Sequence, residues 1–298
     1  MLSNHTSDPI ESQLREEALY KPYQSLNAYL KKKYGEKIYK IALDGGFTCP
    51  NRDGTCGTRG CIFCSAGGSG EFATAIRQNS SIDAQIAQAL ARFGNKQTGQ
   101  RFIAYFQAYT GTYAAPERLY ALYHMALSHP KIIGISIATR PDCLPAPVLD
   151  VIKQCQMEFP DKFVWIELGL QSVHEKTALY IRRGYPLSCF EEALETLQAM
   201  SVPVIVHVIL GLPGETQRDM IETAEYIGKS GAQGIKLQLL HVLKGTNLAE
   251  LYQNGECSVL SLEDYTECVV SCLKVLPPDM VIHRLTGDGP KKLLIAPL

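Results

Sequence analysis

Residues 44–70, DGGFTCPNRDGTCGTRGCIFCSAGGSG, place four of the chain's ten cysteines on one glycine-rich stretch. Cys61 and Cys64 form a C-x-x-C pair, and Cys49 and Cys56 precede it. Glycines allow left-handed backbone conformations, so such a segment can fold tightly around a small group. Thiolates at this density favour zinc or an iron–sulfur cluster over harder cations. The stretch therefore predicts a metal centre around which the rest of the chain is organised.

The chain around this stretch alternates between short apolar runs and amphipathic segments. The apolar runs predict strands over residues 38–43, 101–106, 132–138, 164–170, 204–210 and 234–240. The segments after them predict helices over residues 80–93, 116–128, 145–157, 175–182, 188–200 and 216–229. Regular β-α alternation gives a parallel sheet, because the crossover helices cover its faces. We therefore predict an α/β fold, a partial (β/α)6 TIM-type barrel with parallel strands.

Short helical extensions are expected at both ends of this barrel. Residues 1–37 are predicted to form an N-terminal helical extension, with a helical pattern over 11–33, and residues 38–246 form the core. Residues 247–298 are predicted to form a C-terminal helical extension that packs on the core, with helices over 247–252 and 261–276. A polar, glycine-rich stretch over 283–290 follows these helices.

Composition narrows the functional classes. The chain has 298 residues, 46% of them hydrophobic and 20% charged, which is typical of a globular protein and not of a disordered one. Its net charge of −1 gives no overall attraction to nucleic acid, so we expect no DNA partner, and an RNA partner would need a local basic patch. The sequence has no signal peptide or apolar run of about 18 residues, so we expect a cytoplasmic protein that does not bind membranes. Ten cysteines in a reducing compartment argue against a disulfide framework.

Two kinds of metal centre remain open from the cysteines alone. Four cysteines could close around a structural zinc ion, although such sites usually contain two C-x-x-C pairs and only one is present. Three cysteines could instead hold a [4Fe-4S] cluster whose fourth iron is open to a ligand. The loop follows the first predicted strand, at the sheet edge where active sites of such barrels lie. That position favours the cluster.

The order of several motifs resembles the radical S-adenosylmethionine (radical SAM) superfamily, and within it the elongator catalytic-subunit-like group of the bacterial YhcC/YtqA type. Cys49-Pro50 and Cys61-Ile62-Phe63-Cys64 are followed by ELGLQS, RRGY and GLPGET, and the resemblance extends over residues 23–298. The widespread C-x3-C-x2-C pattern is absent, but the elongator-like group has a widened gap after its Cys-Pro pair. The resemblance implies that Cys49, Cys61 and Cys64 hold the cluster, and that Cys56 is a spare thiol or a substitute ligand.

The resemblance also implies a set of contacts to S-adenosylmethionine (SAM). These contacts fall on Phe63, Gln107, Thr110, Glu167, Gln171, Arg183 and His207. Phe63 matches an aromatic residue that lies against the adenine, and His207 matches a ribose-binding position on the fifth strand. Two alternatives stay open: Glu167 and Arg183 could form a simple ion pair, and His207 could be a hydrogen-bonded core histidine.

The implied activity is reductive cleavage of SAM to a 5′-deoxyadenosyl radical, with flavodoxin or ferredoxin as the electron donor. The implied substrate is tRNA, at a wobble uridine whose carbon-5 side chain is of the carboxymethylaminomethyl type. Tyr23, Tyr29 and Tyr34, with the nearby lysines, could stack on a base and bind phosphates, or could form a cap that packs on the barrel. Two alternatives remain: a radical SAM enzyme for a small metabolite or peptide, and a non-catalytic zinc-binding adaptor.

Overall fold

The computed structural model describes residues 21–68, 70, 81–93 and 99–298. Its strands, in chain order, are β1 Tyr39–Leu43, β2 Phe102–Phe106, β3 Ile132–Thr139, β4 Phe163–Gln171, β5 Val204–Leu210, β6 Gly234–Leu239, β7 Val242–Leu243, β8 Val281–Arg284 and β9 Leu294–Ala296. A seven-stranded sheet has the order β1-β2-β3-β4-β5-β6-β8, and all its neighbouring strands are parallel. The predicted α/β fold with a parallel sheet is confirmed.

Helices lie between most of the successive strands, and one helix precedes the first strand. They are α1 Leu26–Tyr34, α2 Ile82–Phe93, α3 Pro116–Ser128, α4 Ala146–Glu158, α5 Glu175–Tyr180, α6 Leu187–Ala199, α7 Gln217–Lys229, α8 Asn247–Gln253 and α9 Leu262–Val275. The first part of the pattern predicted over 11–33 and the predicted helix start at Ser80 lie outside the described residues. In the described part of the chain, no helix has the length and apolar character that a membrane crossing requires.

The sheet is strongly curled, as contacts across its inner face show. Glu167 on β4 forms ion pairs with Lys40 on β1 and with Lys236 on β6. The ammonium group of Lys236 also donates a hydrogen bond of 3.0 Å to the hydroxyl of Tyr105 on β2. Strands β2 and β6 are four positions apart, a separation of about 19 Å in a flat sheet. The sheet therefore forms an incomplete barrel whose inner face brings these side chains together.

An apolar layer, here called the floor, closes the barrel at the N-terminal ends of the strands. It consists of Leu30, Ile38, Ile103, Ile133, Trp165 and Ile205. Helix α1 covers the floor, and the N–H of Ile282 on β8 donates to the carbonyl of Gln24 just before that helix. Tyr29 and Tyr34 pack against this layer and Tyr23 packs against the main core, which favours the cap among the two roles considered for these tyrosines.

The C-terminal segment contributes to the barrel itself. Its sequence pattern predicts helices, and α8 and α9 are present, but the segment also contains β8, the seventh strand of the sheet. Strand β8 has only four residues and ends in His283 and Arg284, so it lacks the apolar run that identifies the other strands. Strands β7 and β9 form a separate antiparallel pair. The polar stretch after β8 is thereby held beside the end of β6.

Replacing Ile282 with alanine should weaken the attachment of β8. Ile282 is 4% exposed and packs in the main core, so the substitution should lower the free energy of unfolding by about 2–5 kcal/mol. Urea unfolding followed by circular dichroism measures this loss. Val270→Ala is the matched control, because Val270 is 45% exposed, and it should change the stability by only about 0.5 kcal/mol. Equal losses in the two variants would contradict this role for β8.

Candidate active site

A cavity of about 260 Å³ opens at the C-terminal ends of the strands. Its lining contains every residue that the sequence analysis assigns to the cofactors, namely Cys49, Cys61, Phe63, Cys64, Gln107, Thr110, Glu167, Gln171, Arg183 and His207. Parallel strands place their following loops at one edge, which brings these distant positions together. Cys56 is exposed and does not line the cavity. The individual SAM contacts stay predictions.

The C-x-x-C turn is fixed by its second residue, Ile62. This side chain is buried in a small apolar cluster that includes Ile181 and Leu248. The N–H of Ile62 donates to the carbonyl of Ile181 at 3.1 Å, and its own carbonyl accepts from the N–H of Leu248 at 2.9 Å. Because Ile62 is held on both sides, Cys61 and Cys64 are directed toward the cavity.

Asn51 joins the cysteine loop to the RRGY motif. Its side-chain amide donates to the carbonyls of Arg182 and Arg183 at 2.8 and 3.1 Å, and it lies 3.5 Å from the sulfur of Cys61. Gly184 permits this approach: it has a φ of +85°, and a Cβ there would lie 2.6 Å from the side-chain oxygen of Asn51. The positive φ and the close contact with Asn51 therefore explain why the RRGY motif has a glycine at position 184.

The three thiols suit a group larger than one ion. Sulfur ligands of one tetrahedral zinc ion lie about 4 Å apart. Among the described residues, no trio of metal-ligating side chains that includes a cysteine has its ligand atoms within 4.8 Å of one another. Burial, with the nearby Cys64 and Cys49, nevertheless raises the pKa of the Cys61 thiol to about 12, so the three thiols share one environment. This spread fits an iron–sulfur cluster and does not fit zinc closed by all four cysteines.

Gln171, the last residue of β4, provides an acceptor suited to a ligand. Its side-chain oxygen is buried and has no hydrogen-bond partner in the described part of the chain. Its φ is +69°, a left-handed conformation that is strained for a residue with a side chain, and the register with β5 shifts at this point. Buried polar atoms are normally paired, so an orphaned acceptor in a cavity indicates a ligand with a hydrogen-bond donor. The hydroxyl and amino groups of SAM are such donors.

Arg183 does not pair with Glu167, so the ion pair considered from the sequence is wrong. Arg183 is 1% exposed, and its guanidinium donates to the carbonyls of Leu170, Ser172 and Tyr185 at 3.2, 2.7 and 3.0 Å. It lies 3.3 Å from a carboxylate oxygen of Glu175. Arg183 therefore fixes the end of β4 and the turn that follows it.

Glu167 is the centre of a polar layer between the floor and the cavity. Its carboxylate accepts hydrogen bonds from Lys40, Lys236, Ser136 at 2.5 Å and His207 at 2.6 Å. Burial by itself raises the pKa of this carboxyl, but Lys236, Lys40 and His207 outweigh burial, and the net pKa lies well below the ordinary value. Glu167 is thus an anion held in place by buried cations.

His207 is neutral in this layer. Burial and the charge of Lys236 lower its pKa to about 4, although Glu167 acts in the opposite direction. A carboxylate only accepts hydrogen bonds, so Nε2 of the ring carries the proton and donates to Glu167. The other ring nitrogen, Nδ1, lies 3.5 Å from the amide nitrogen of Gln238. Both ring nitrogens therefore have protein partners, while the ring still lines the cavity.

Several cavity residues are not predicted from the sequence. They include Arg52, Tyr109, Arg140, Tyr185, Gln238, His241, Arg284 and Asp288. Lys40 and Lys236 of the polar layer are also missed as site residues, although each interrupts a mostly apolar strand, IYKIAL and GIKLQL. A lysine at an inward position of a buried strand needs a partner, and this is the signal that could have identified them.

A curled parallel sheet with three thiols at its C-terminal edge defines a barrel-type metalloenzyme. Residues 54–227 match the Radical SAM superfamily, and residues 232–298 match the Radical_SAM C-terminal domain. The chain belongs to the radical SAM superfamily. The cofactors of this superfamily are a [4Fe-4S] cluster and SAM, and the donor set described above fits both.

The relatives of this chain fall into two groups. YtqA of Bacillus subtilis is 44% identical over 278 residues, which cover 93% of this chain and 85% of YtqA. Human Elongator complex protein 3 is 30% identical over 169 residues, which cover 55% of this chain and 29% of that protein. The solved structure of archaeal Elp3 from Methanocaldococcus infernus superimposes with a TM-score of 0.64 over 87% of this chain and 58% of that one, at 15% identity. This last likeness shows a shared fold.

Replacing Cys61 with alanine should abolish cluster binding, because a cavity thiol is lost. Replacing Cys56 with alanine should leave the cluster in place, because that thiol is exposed and lies outside the cavity. Iron and acid-labile sulfide, measured after anaerobic reconstitution, are the readout. A Cys56→Ala variant without iron would show that the ligand assignment is wrong.

Replacing Glu167 with glutamine should destabilise the fold, because Lys40 and Lys236 are then left without their counter-charge. The loss should be about 3–5 kcal/mol in the free energy of unfolding at pH 7. The folded-state pKa of Glu167 is depressed, so its stabilisation is complete above about pH 4.5 and is lost as the pH falls through the folded value. The difference in the free energy of unfolding between wild type and Glu167→Gln should therefore shrink as the pH falls below about 4.5.

The control for this experiment is Glu225→Gln, which removes a carboxylate that is 46% exposed and paired with Lys229 on the same helix. That substitution should change the free energy of unfolding by less than about 1 kcal/mol. A similar, pH-independent loss in both variants would be evidence against the central position of Glu167.

Proposed function

We propose that this radical SAM enzyme modifies the carbon-5 side chain of the wobble uridine of tRNA, a side chain of the carboxymethylaminomethyl type. The similarity to Elongator complex protein 3 carries this proposal, and the widened gap between Cys49-Pro50 and the C-x-x-C pair, which resembles the elongator-like group, supports it. The similarity is partial, since it covers 55% of this chain and 29% of that protein. The proposed chemistry is therefore limited to the radical reaction.

Cys49, Cys61 and Cys64 would hold the cluster in this reaction. When bound, the cluster and SAM supply an electron and a 5′-deoxyadenosyl radical that removes a hydrogen atom from the substrate. Gln171 would accept a hydrogen bond from SAM, and the half-buried ring of Phe63 would lie against the adenine. We propose flavodoxin or ferredoxin as the electron donor.

The remaining predicted contacts act in two ways under this proposal. Gln107 and Thr110, on the loop after β2, would receive the amino group of SAM. Glu167, Arg183 and His207 are already engaged by protein partners, so they would position the cavity wall, and the ring of His207 would lie beside the ribose. The apolar floor below them limits the access of water to a reactive radical.

Exposed cations near the cysteine loop support an RNA partner. Arg59 lies close enough to Arg182 that its charge, together with burial, lowers the pKa of Arg182. Arg182 donates to Asn247 at the start of α8, three residues after the exposed Lys244. The backbone N–H of Lys244 donates a hydrogen bond of 2.8 Å to the carbonyl of Leu293. Two exposed lysines, at positions 291 and 292, directly precede Leu293. Such a series of cations suits the phosphates of RNA.

Mass spectrometry of tRNA nucleosides tests the proposal. Cells that lack this protein should lose one carbon-5 modification of the wobble uridine and accumulate its precursor. A plasmid copy with Cys56→Ala should restore the modification, whereas a copy with Cys61→Ala should not. An unchanged wobble nucleoside pattern would reject tRNA as the substrate and leave a small metabolite or a peptide as the substrate class, with SAM cleavage unaffected.

A further inference from the structure

A second cavity of about 280 Å³ lies inside the barrel. Its lining consists of Leu26, Lys40, Ala42, Tyr105, Gln107, Lys236, His283, Arg284 and Asp288. Four of these residues, Tyr105, Gln107, Arg284 and Asp288, also line the first cavity, so the two cavities adjoin. Residues from β1 and β8, the two edge strands of the sheet, face each other across this second space. We call it the inner cavity.

The inner cavity carries more positive than negative charge. Lys40, Lys236 and Arg284 are its cations, and Glu167 and Asp288 are the carboxylates at its boundary. Glu167 is fully engaged by the two lysines and His207, whereas Asp288 is exposed at the rim. Burial lowers the pKa of Lys236 to about 7; Glu167 opposes this shift, and Lys40 and Arg284 add to it.

Arg284 is the cation of the inner cavity that forms no ion pair with any of the described residues. It is half-buried at the end of β8, and in the described part of the chain its guanidinium makes no hydrogen bond and no ion pair. One of its nitrogens lies 3.8 Å from the place where a Cβ on Gly287 would be, beside His241 and Gln238 of the first cavity. A guanidinium has five donors, and leaving them unpaired in a partly desolvated site is costly.

We propose that the inner cavity binds an anionic group of the substrate, a carboxylate or a phosphate, through the guanidinium of Arg284. The flat guanidinium matches either anion with two parallel hydrogen bonds. Lys40 and Lys236 add positive charge behind this contact. Gln107 lines both cavities, so an anion bound here lies next to the space assigned to SAM. Assigning the anion to the substrate rests on the proposed function, whereas the anion site itself does not.

Binding of simple anions tests this site. Sodium malonate and sodium phosphate are titrated separately into the anaerobically reconstituted protein at constant ionic strength, and the rise in melting temperature gives the apparent Kd. The Arg284→Gln variant should bind the effective anion about ten-fold more weakly, because it loses a charge-assisted bidentate contact. Arg218→Gln is the matched control: Arg218 is 86% exposed on α7, and its variant should bind like wild type.

The outcomes separate the two anions and the two proposals. Saturable, Arg284-dependent binding of malonate alone assigns a carboxylate, and the same result with phosphate alone assigns a phosphate. Equal affinity of Arg284→Gln and wild type, or no saturable binding of either anion, overturns the site. If binding depends on Arg284 but the tRNA nucleosides of deletion cells are unchanged, the anion site stands and the tRNA substrate is rejected.

Discussion

The buried carboxylate of Glu167 is the constraint on which the barrel depends. A carboxylate taken out of water must be compensated by nearby charge, and here the compensation comes from lysines on β1 and β6. Those strands can reach β4 only if the sheet curls, so the electrostatic requirement and the shape of the sheet support each other. The same carboxylate fixes the tautomer and orientation of His207. One side chain thereby sets both the curvature of the wall and the chemistry of its inner face.

The barrel is layered along its axis. Apolar side chains and α1 close the floor, the polar layer around Glu167 lies above it, and the cysteine loop covers the mouth. The loop gains its position from Ile62, which is hydrogen-bonded to Ile181 after α5 and to Leu248 in α8. Chemistry is thus confined to the end that is built from loops, while the other end is built for stability, as is usual for parallel barrels.

Much of this arrangement follows from the sequence, because β-α alternation and clustered cysteines are local signals. The parallel sheet and the cysteine site are predicted from them, and the motif resemblance adds part of the cavity lining, such as Gln171 and His207. The partners of Arg183 are not predicted, because the spacing along the chain does not show whether its guanidinium turns toward Glu167 or toward backbone carbonyls. Strand β8 escapes prediction because four residues, two of them polar, give no periodicity. Because β8 is not predicted from the sequence, Arg284 at its end is not predicted as a cavity residue either.

The floor also contains the only tryptophan of the chain, Trp165. Its indole stacks on Phe163 at a centroid distance of 4.2 Å, meets the ring of His283 edge-on at 5.3 Å, and has the ammonium of Lys40 5.5 Å from its centre. Indole emission depends on the polarity and charge around the ring. The protein therefore carries a native fluorophore at the base of its inner cavity, and changes in hydration or ionisation there become optically visible without a label.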